Sequence, residues 1–217
     1  MRCALFKRAL PWSQDKPARN EPDQPGQEVL ISGSKVVLRE KRIEDAADDY
    51  AWRTDEELAR LDATRPLHMR YEDFTRYSKE EINYPNPRSK RLAIDTLDGK
   101  HIGNCMFYDI DLRQGEAELG IMIGDREYWS KGYGTDTVDS LLSHIFTTTS
   151  LGRIYLHTLD WNHRAQRSFT KSGFQTVKNV RRSGFDFILM EVHRSDWERR
   201  SSPDHGASDI DSPTEQP

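Results

Sequence analysis

A glycine-rich turn, Lys131-Gly132-Tyr133-Gly134-Thr135, stands directly before the clearest helical pattern in this sequence. In that pattern the apolar residues recur on one helix face, at Val138, Leu141, Leu142, Ile145 and Phe146. The first N–H groups of a helix have no intrahelical acceptor and lie at the positive end of the helix dipole. Glycine permits a positive φ and a close approach of the backbone to a ligand, and Thr135 adds a hydroxyl donor. The turn therefore predicts a main-chain cradle for a phosphate, although such a turn alone is as typical of a strand-to-helix connection without a ligand.

The segments on both sides of the turn alternate between strand and helix patterns. Strands are predicted at 35–40, 91–96, 101–110, 116–123, 153–159, 174–181 and 185–192, and helices at 44–61, 71–82, from 134 or 135 to about 151, and 162–172. Asp98-Gly99 between two apolar runs is a hairpin signal, and a second turn at 113–115 extends it to an antiparallel meander of three strands. The sequence therefore predicts one α+β domain, a mixed and mostly antiparallel sheet flanked by helices.

Both ends of the chain differ in composition from this domain. Four prolines fall among polar residues between positions 11 and 27, and the residues after Arg200 are acidic, without Lys or Arg, and nearly free of apolar side chains. Such segments bury too little surface to offset the entropy that ordering costs. We therefore expect a flexible Pro-rich leader at 1–30, one domain at 31–200 and a disordered acidic tail at 201–217.

Charge, cysteine content and hydropathy exclude several functional classes. The 32 Lys and Arg residues against 36 Asp and Glu residues give a net charge of -4, unlike the cationic field of a protein that binds nucleic acid. Cys3 and Cys105 are far apart and lack metal-ligand spacing, so neither a disulfide framework nor a metal site is expected. No run approaches the roughly 18 apolar residues that span a bilayer. We expect a cytoplasmic protein without membrane contact.

Common nucleotide-binding motifs do not account for the glycine turn, because a P-loop requires GxxxxGK[ST] and a Rossmann fingerprint requires glycine where Thr137 stands. Four segments, at 116–124, 128–134, 162–165 and 171–174, instead resemble the GNAT acetyltransferase family, most closely its RimJ/RimL-type branch. They include the run Trp-Ser-Lys-Gly-Tyr-Gly and the block from Asn-x-x-Ala to Lys-x-Gly-Phe, in the order and spacing of the family. The resemblance covers about residues 35–200.

This resemblance implies a twisted sheet whose fourth and fifth strands splay apart, with the pantetheine arm of acetyl-CoA in the gap. The thioester would lie beside Met122 and Ile123, whose backbone groups would polarise the acetyl carbonyl as oxyanion donors do. The pyrophosphate would bind the main-chain amides of the turn at 131–135. Asn162 would contact the cofactor, and as an alternative or in addition it would cap the helix that follows it.

Amine acetylation requires the neutral amine, so a general base is expected near the thioester. Glu118 is the first candidate, because the resemblance places it where the histone-acetylating branch of the family carries its catalytic glutamate. An exposed structural glutamate is the competing interpretation, and Asp160 and His157 are alternative bases. Phe169 occupies the position of the tyrosine that in many members protonates the CoA thiolate, so water would replace that acid. Trp129 replaces a Gln or Arg of the family pattern, which removes one phosphate contact.

The expected acceptor is a primary amine that attacks the thioester directly: a protein N-terminus, a polyamine or another small amine. Eight acidic residues between positions 44 and 62 could wall the acceptor site and attract cationic amines, or they could form a solvated helix face. The alternative to an enzyme is an acyl-CoA-binding module with weak or no turnover, which Phe169 favours. A homodimer is compatible with both functions.

Overall fold

The computed structural model of the chain describes residues 30–201, so the predicted leader up to residue 29 and the predicted tail from residue 202 lie outside the described residues. The strands are β1 (Leu30–Ser32), β2 (Val36–Glu40), β3 (Ser89–Thr96), β4 (His101–Asp111), β5 (Glu116–Ile123), β6 (Arg153–Leu159), β7 (Gln175–Arg182) and β8 (Phe185–His193). The α-helices are α1 (Ala46–Thr54), α2 (Glu56–Leu61), α3 (Tyr71–Asn83), α4 (Tyr133–Thr148), α5 (His163–Lys171) and α6 (Arg194–Ser201). Short 3-10 turns occupy Ile43–Asp45 and Arg126–Tyr128.

All eight strands form one sheet in the order β1-β2-β3-β4-β5-β6-β8-β7. Every neighbouring pair is antiparallel except β5 and β6, which are parallel. The predicted α+β class with a mixed, mostly antiparallel sheet is confirmed. Because β1 precedes the first predicted strand, the fourth and fifth predicted strands are β5 and β6 here. Their pairing covers only three residue pairs, from Glu116–Arg153 to Glu118–Tyr155. Beyond that point the two strands separate, as the resemblance implies.

The main core lies between the sheet and the apolar face of α4. Every residue of the predicted apolar stripe on α4 is buried, and Leu141, Leu142 and Ile145 are 0% exposed. It packs against the inward-facing side chains of β5 and β6, including Ala117 and Ile154. Each such side chain contributes about 1.5–3 kcal/mol when it leaves water. This burial holds the N-terminus of α4 beside the point where β5 and β6 separate.

The helix predicted at 44–61 is wrong as a single element, because the chain breaks it at Asp55. The backbone of Asp55 is extended, with φ −73° and ψ 127°, and its side chain accepts a hydrogen bond from the Leu58 amide at 2.9 Å. Asp55 is therefore the N-cap of α2, a role for which aspartate is strongly preferred. Because of this break, α2 is not collinear with α1 and borders the gap between β5 and β6.

Helix α6 was not predicted, because its sequence has a single large apolar residue, Trp197, and no apolar stripe. Tertiary contacts stabilise it instead. The ring of Trp197 lies 5.6 Å from that of Phe146 at the end of α4, and Arg200 Nη2 donates to the Lys171 carbonyl at 2.9 Å. Helix α6 thus covers the ends of α4 and α5. Within residues 30–201 no helix is both long enough and apolar enough to cross a membrane.

A buried ion-pair network attaches the segment before α1 to the opposite face of the sheet. Arg39 on β2 forms two hydrogen bonds with Asp45, at 2.9 and 2.8 Å, and two with Asp95 on β3, at 2.6 and 3.0 Å. Burial by itself raises the pKa of Asp45, but the hydrogen bond from Arg39 and the charge of Lys41 outweigh it and hold that pKa well below its usual range. The network fixes where α1 begins.

Candidate active site

The gap between β5 and β6 exposes backbone groups of β5 that have no strand partner on that side. Gly124 donates to the Ile102 carbonyl of β4 at 2.9 Å, and neighbouring residues of a strand direct their backbone groups to opposite edges. The backbone N–H and C=O groups of Ile121 and Ile123 therefore point into the gap. The Met122 carbonyl points towards β4, where a Cβ atom on Gly103 would clash with it. The sequence predicted that both Met122 and Ile123 lie beside the thioester. In the structure the backbone of Ile123 points into the gap, and Met122 contributes only to the wall of the cavity there.

Two adjoining cavities occupy this gap. The larger, of about 290 Å³, lies between β5, α5 and the N-terminus of α4, and we call it the cofactor cleft. The smaller, of about 150 Å³, lies between β5 and β6 and has Glu118 and His157 in its wall; we call it the inner cavity. Ile121, Asn162 and Phe169 line both cavities, so a molecule in the cleft would contact one in the inner cavity.

The predicted phosphate cradle borders the cofactor cleft. Gly132 is the N-cap of α4 with φ +90°, a left-handed conformation that favours glycine. A Cβ atom on Gly134 would lie 3.6 Å from Ser168 Oγ and 4.0 Å from Ile123 Cγ1, so this glycine faces α5 and β5 across the cleft. The Thr135 hydroxyl lies 2.9 Å from that of Ser168 and links α4 to α5. The free N–H groups of the first turn of α4 are thus next to a cleft that fits an elongated ligand.

Three basic residues on one face of α5 line the cofactor cleft or its mouth: Arg164, Arg167 and Lys171. Sequence reasoning did not select them, although their spacing of three and four residues on a helix indicates one face. The Arg164 guanidinium lies 3.6 Å from the centre of the Trp129 ring, and burial lowers its pKa. Cations here would attract the phosphates of a nucleotide ligand. Trp129 also donates from Nε1 to the Ile123 carbonyl at 2.7 Å, which leaves the Ile123 N–H for a ligand.

Asn162 lies where α5 begins, between the two cavities. Its Oδ1 accepts a hydrogen bond from the Ala165 amide at 3.2 Å, so it caps the helix. Because the cap uses only the side-chain oxygen, the amide nitrogen remains the group of Asn162 that could meet a cofactor. The two roles predicted for this residue are compatible in this geometry.

Glu118 and His157 form a buried pair at the point where β5 and β6 separate. Glu118 Oε1 lies 2.9 Å from His157 Nδ1, and the two side chains are only 9% and 7% exposed. Glu116, on the same face, is bound to Arg153 at 2.6 Å. The exposed Asp160 lies outside the walls of both cavities. Of the three bases that the sequence predicted, the structure brings Glu118 and His157 together at the gap and leaves Asp160 apart.

The surroundings of this pair are aromatic. The rings of Tyr155 and Phe187 lie 6.0 and 6.4 Å from that of His157, both nearly perpendicular to it. Burial, followed by the negative charges of Glu118 and Glu116, raises the pKa of Tyr155 to about 12. Its phenol therefore stays neutral at physiological pH.

The acidic segment between positions 44 and 62 is mostly engaged in structural contacts. Five of its eight carboxylates lie within ion-pair distance of a Lys or Arg side chain, and a sixth, Asp48, contacts His101: the five are Asp45, Asp49, Asp55, Glu57 and Asp62. In particular, Arg126 binds Asp55 at 2.7 Å and Glu57 at 2.9 Å, which ties α2 to the segment after β5. Most of these acids thus hold α1 and α2 in place beside the site, and Asp62 also lines both cavities.

A third cavity, of about 700 Å³, lies between α3 and the face of β3 and β4. Met122 lines both this cavity and the cofactor cleft, and Tyr108 lines both this cavity and the inner cavity. The segment from Tyr108 to Asp111 contains a β-bulge in which Asp109 has φ +51°. Met122 and Tyr108 thus separate this third cavity from the two cavities of the gap.

The chain matches one protein family and many solved structures. The Acetyltransferase (GNAT) domain family matches residues 35–175. The human alpha/beta-tubulin-N-acetyltransferase 9 is 30% identical over 168 residues, which cover 70% of this chain and 77% of that protein. The spermidine N-acetyltransferase of Vibrio cholerae, solved with CoA and spermine, superposes with a TM-score of 0.67 at 19% identity over 76% of this chain and 99% of that one. The aminoglycoside acetyltransferase AAC(6')-Ib, solved with coenzyme A, gives a TM-score of 0.65 at 21% identity over 77% and 99%.

Proposed function

Because the chain belongs to the GNAT acetyltransferase family, we propose that it is an N-acetyltransferase that moves the acetyl group of acetyl-CoA to a primary amine. The proposal rests on the arrangement of backbone amides and side chains around the gap between β5 and β6. The free amides of the first turn of α4 border the cofactor cleft, and the Glu118–His157 pair lies in the wall of the adjoining inner cavity. Helix amides that can bind an anion and a side chain that can accept a proton thus line adjoining cavities of one gap, which is what acyl transfer from a thioester to an amine requires.

We place acetyl-CoA along the cofactor cleft. The pyrophosphate binds the main-chain amides at 131–135, with Arg164, Arg167 and Lys171 near the phosphates. The pantetheine arm follows β5 and bonds to the gap-facing backbone of Ile121 and Ile123, while Met122 and Asn162 line its path. Backbone donors fixed in the sheet need no reorganisation when negative charge develops on the acetyl oxygen, so they stabilise the transition state.

The acceptor is a primary amine: a protein N-terminus, a polyamine or another small amine. One observation favours a protein: the human relative is by name a tubulin acetyltransferase. The Vibrio cholerae and aminoglycoside enzymes, which by name act on small amines, share the fold at lower identity. The RimJ/RimL-type branch remains our finer assignment, on the sequence segments quoted above.

We propose residues 31–200 as the catalytic domain, with the leader and the acidic tail outside it. Strand β1 extends the sheet through its pairing with β2, and α6 covers the ends of α4 and α5. Both elements fall within these bounds almost entirely.

The direct test measures release of the CoA thiol from acetyl-CoA. The purified full-length chain is mixed with acetyl-CoA and, in separate reactions, spermidine, an aminoglycoside and a synthetic peptide with a free amino terminus. We expect thiol release above the rate without an amine for at least one acceptor, and a matching mass increase of the acceptor. If CoA binds but no amine accelerates thiol release, the chain is an acyl-CoA-binding module without turnover.

Phe169→Tyr tests whether a missing acid limits the rate. Phe169 is 7% exposed and lines both cavities, with its ring 5.9 Å from that of Phe174. A phenol at this position would protonate the departing thiolate, so we expect kcat to rise, by up to about 100-fold. Phe174→Tyr, in the core behind it, is the matched control and should not accelerate turnover. An unchanged kcat in a stable Phe169→Tyr variant would mean that the thiolate leaves without help from an acid.

A further inference from the structure

His157 carries a buried nitrogen that no hydrogen bond explains. Within residues 30–201, His157 Nε2 has no hydrogen-bond partner, although its side chain is only 7% exposed. The residue lines the inner cavity, and its other nitrogen, Nδ1, is bound to Glu118. A buried polar atom without a partner is costly and uncommon in folded proteins, so it needs an explanation.

The contact with Glu118 determines which ring nitrogen can act as a base. An ionised carboxylate only accepts hydrogen bonds, so the 2.9 Å contact requires that Nδ1 carry the proton and donate it. In the neutral imidazole Nε2 then holds the lone pair. Arg182 Nη1 lies 3.4 Å from Nδ1, and as a donor it would require a lone pair on Nδ1. One nitrogen cannot serve both neighbours, and the shorter contact with Glu118 sets the tautomer. The lone pair of Nε2 is thus left without a partner among residues 30–201, in a residue that lines the inner cavity.

The register of the two strands places His157 further along the gap than Glu118. Glu118 pairs with Tyr155 at the last point of contact between β5 and β6. His157 is two residues further along β6, on the same face as Tyr155. His157 therefore lies nearer than Glu118 to the open end of the gap, where Ile123 offers its backbone.

We propose that His157 is the general base that deprotonates the acceptor amine, and that Glu118 is a positioning residue that fixes its tautomer and stabilises the imidazolium. The proposal rests on the proposed acetyltransferase function. Nε2 takes one proton from the ammonium group of the acceptor. The neutral amine then attacks the carbonyl carbon, a C–N bond forms and the C–S bond breaks. Of the two protons that the ammonium loses in becoming an amide, one converts the CoA thiolate to a thiol and the other goes to solvent.

Four charged or titratable groups lie around His157. They are Glu118 of β5, Arg182 of β7 and Tyr155 of β6, and Asp62, which follows α2 and is bound to Arg53, lines the same cavity. Of these groups, Glu118 is the carboxylate that is hydrogen-bonded to the imidazole ring. An imidazolium formed in turnover would therefore be neutralised by Glu118.

The test compares His157→Gln, Glu118→Gln and the double variant, with a peptide bearing a free amino terminus, spermidine and an aminoglycoside as acceptors. We expect His157→Gln to lower kcat by about 100-fold or more, as loss of a general base does, with CoA affinity unchanged by calorimetry. The double variant should be no slower than His157→Gln, because the two residues act as a unit. His193→Gln is the matched control, since His193 forms an exposed pair with Glu191 at 3.2 Å, and it should keep wild-type kcat.

Two readouts separate a chemical role from a structural one. Imidazole added to His157→Ala should restore part of kcat in a saturable manner, and nitrogen NMR of the wild-type protein should show a protonated Nδ1 and an unprotonated Nε2. A proton on Nε2 would overturn the proposal even if the variants fail to fold. So would a His157→Gln variant that keeps a third of kcat while Glu118→Gln loses most of it, because Glu118 would then be the base. If the wild-type chain releases no thiol with any amine, the acetyltransferase function itself fails.

Discussion

Replacing Gly134 with valine is expected to lower the affinity for CoA by about 100-fold while the domain stays folded. The Cβ of residue 134 would already lie 3.6 Å from Ser168 Oγ and 4.0 Å from Ile123 Cγ1, so the two methyl groups of valine would occupy the cleft where we propose that the pyrophosphate binds. Two lost charge-assisted hydrogen bonds, at about 1.5–3 kcal/mol each, account for a change of this size. Calorimetric titration with CoA measures it directly.

Gly134→Ala is the matched control for this prediction. Its single methyl group would make ordinary van der Waals contacts, and alanine suits a helix better than glycine does. We expect its melting temperature to be equal or higher and its CoA affinity to stay within a few fold of wild type. Wild-type affinity in a folded Gly134→Val protein would contradict the placement of the cofactor beside the N-terminus of α4.

Arg39→Met should lower the free energy of unfolding by about 3–5 kcal/mol. Arg39 is 6% exposed and joins Asp45 to Asp95. Methionine keeps much of the volume but leaves two buried carboxylates without their main counter-charge, which is costly. Urea denaturation at neutral pH is the measurement. Arg199→Met, which removes an exposed pair with Asp196 on α6, is the control and should cost less than about 1 kcal/mol.

The same pair of proteins has a predictable pH dependence. The pKa of Asp45 is held below its ordinary value of 3.8, mainly because the hydrogen bond from Arg39 and the charge of Lys41 outweigh the effect of burial. A lowered folded-state pKa contributes stability above the unfolded pKa, and this stability is lost as the pH falls through the folded pKa. The difference between wild type and Arg39→Met should therefore be constant above about pH 5 and shrink below about pH 4. A difference that stays the same down to pH 2 would show that lost packing, and not charge, is responsible.

Much of the architecture around the site was predictable because it depends on local patterns. The stripe on α4, the hairpin at Asp98-Gly99 and the glycine turn each act within a few residues, and the structure has all three where they were expected. The helix break at Asp55 is also a local effect, but the charged pattern on either side of it reads as one helix. Helix α6 has no pattern of its own and forms because α4 and α5 offer it a surface.

The features of the site also divide into those that local sequence patterns predict and those that depend on the tertiary structure. The sequence by itself determined the turn at 131–135 and the position of Asn162 at a helix start, because both follow from local patterns, and the family resemblance selected Glu118. Only the tertiary structure decided that Ile123 and not Met122 offers its backbone to the gap, since that depends on which edge of β5 pairs with β4. It also decided that Glu118 is bound to His157, 39 residues away. The register of two parallel strands brings them together, and no pattern within either strand specifies that register.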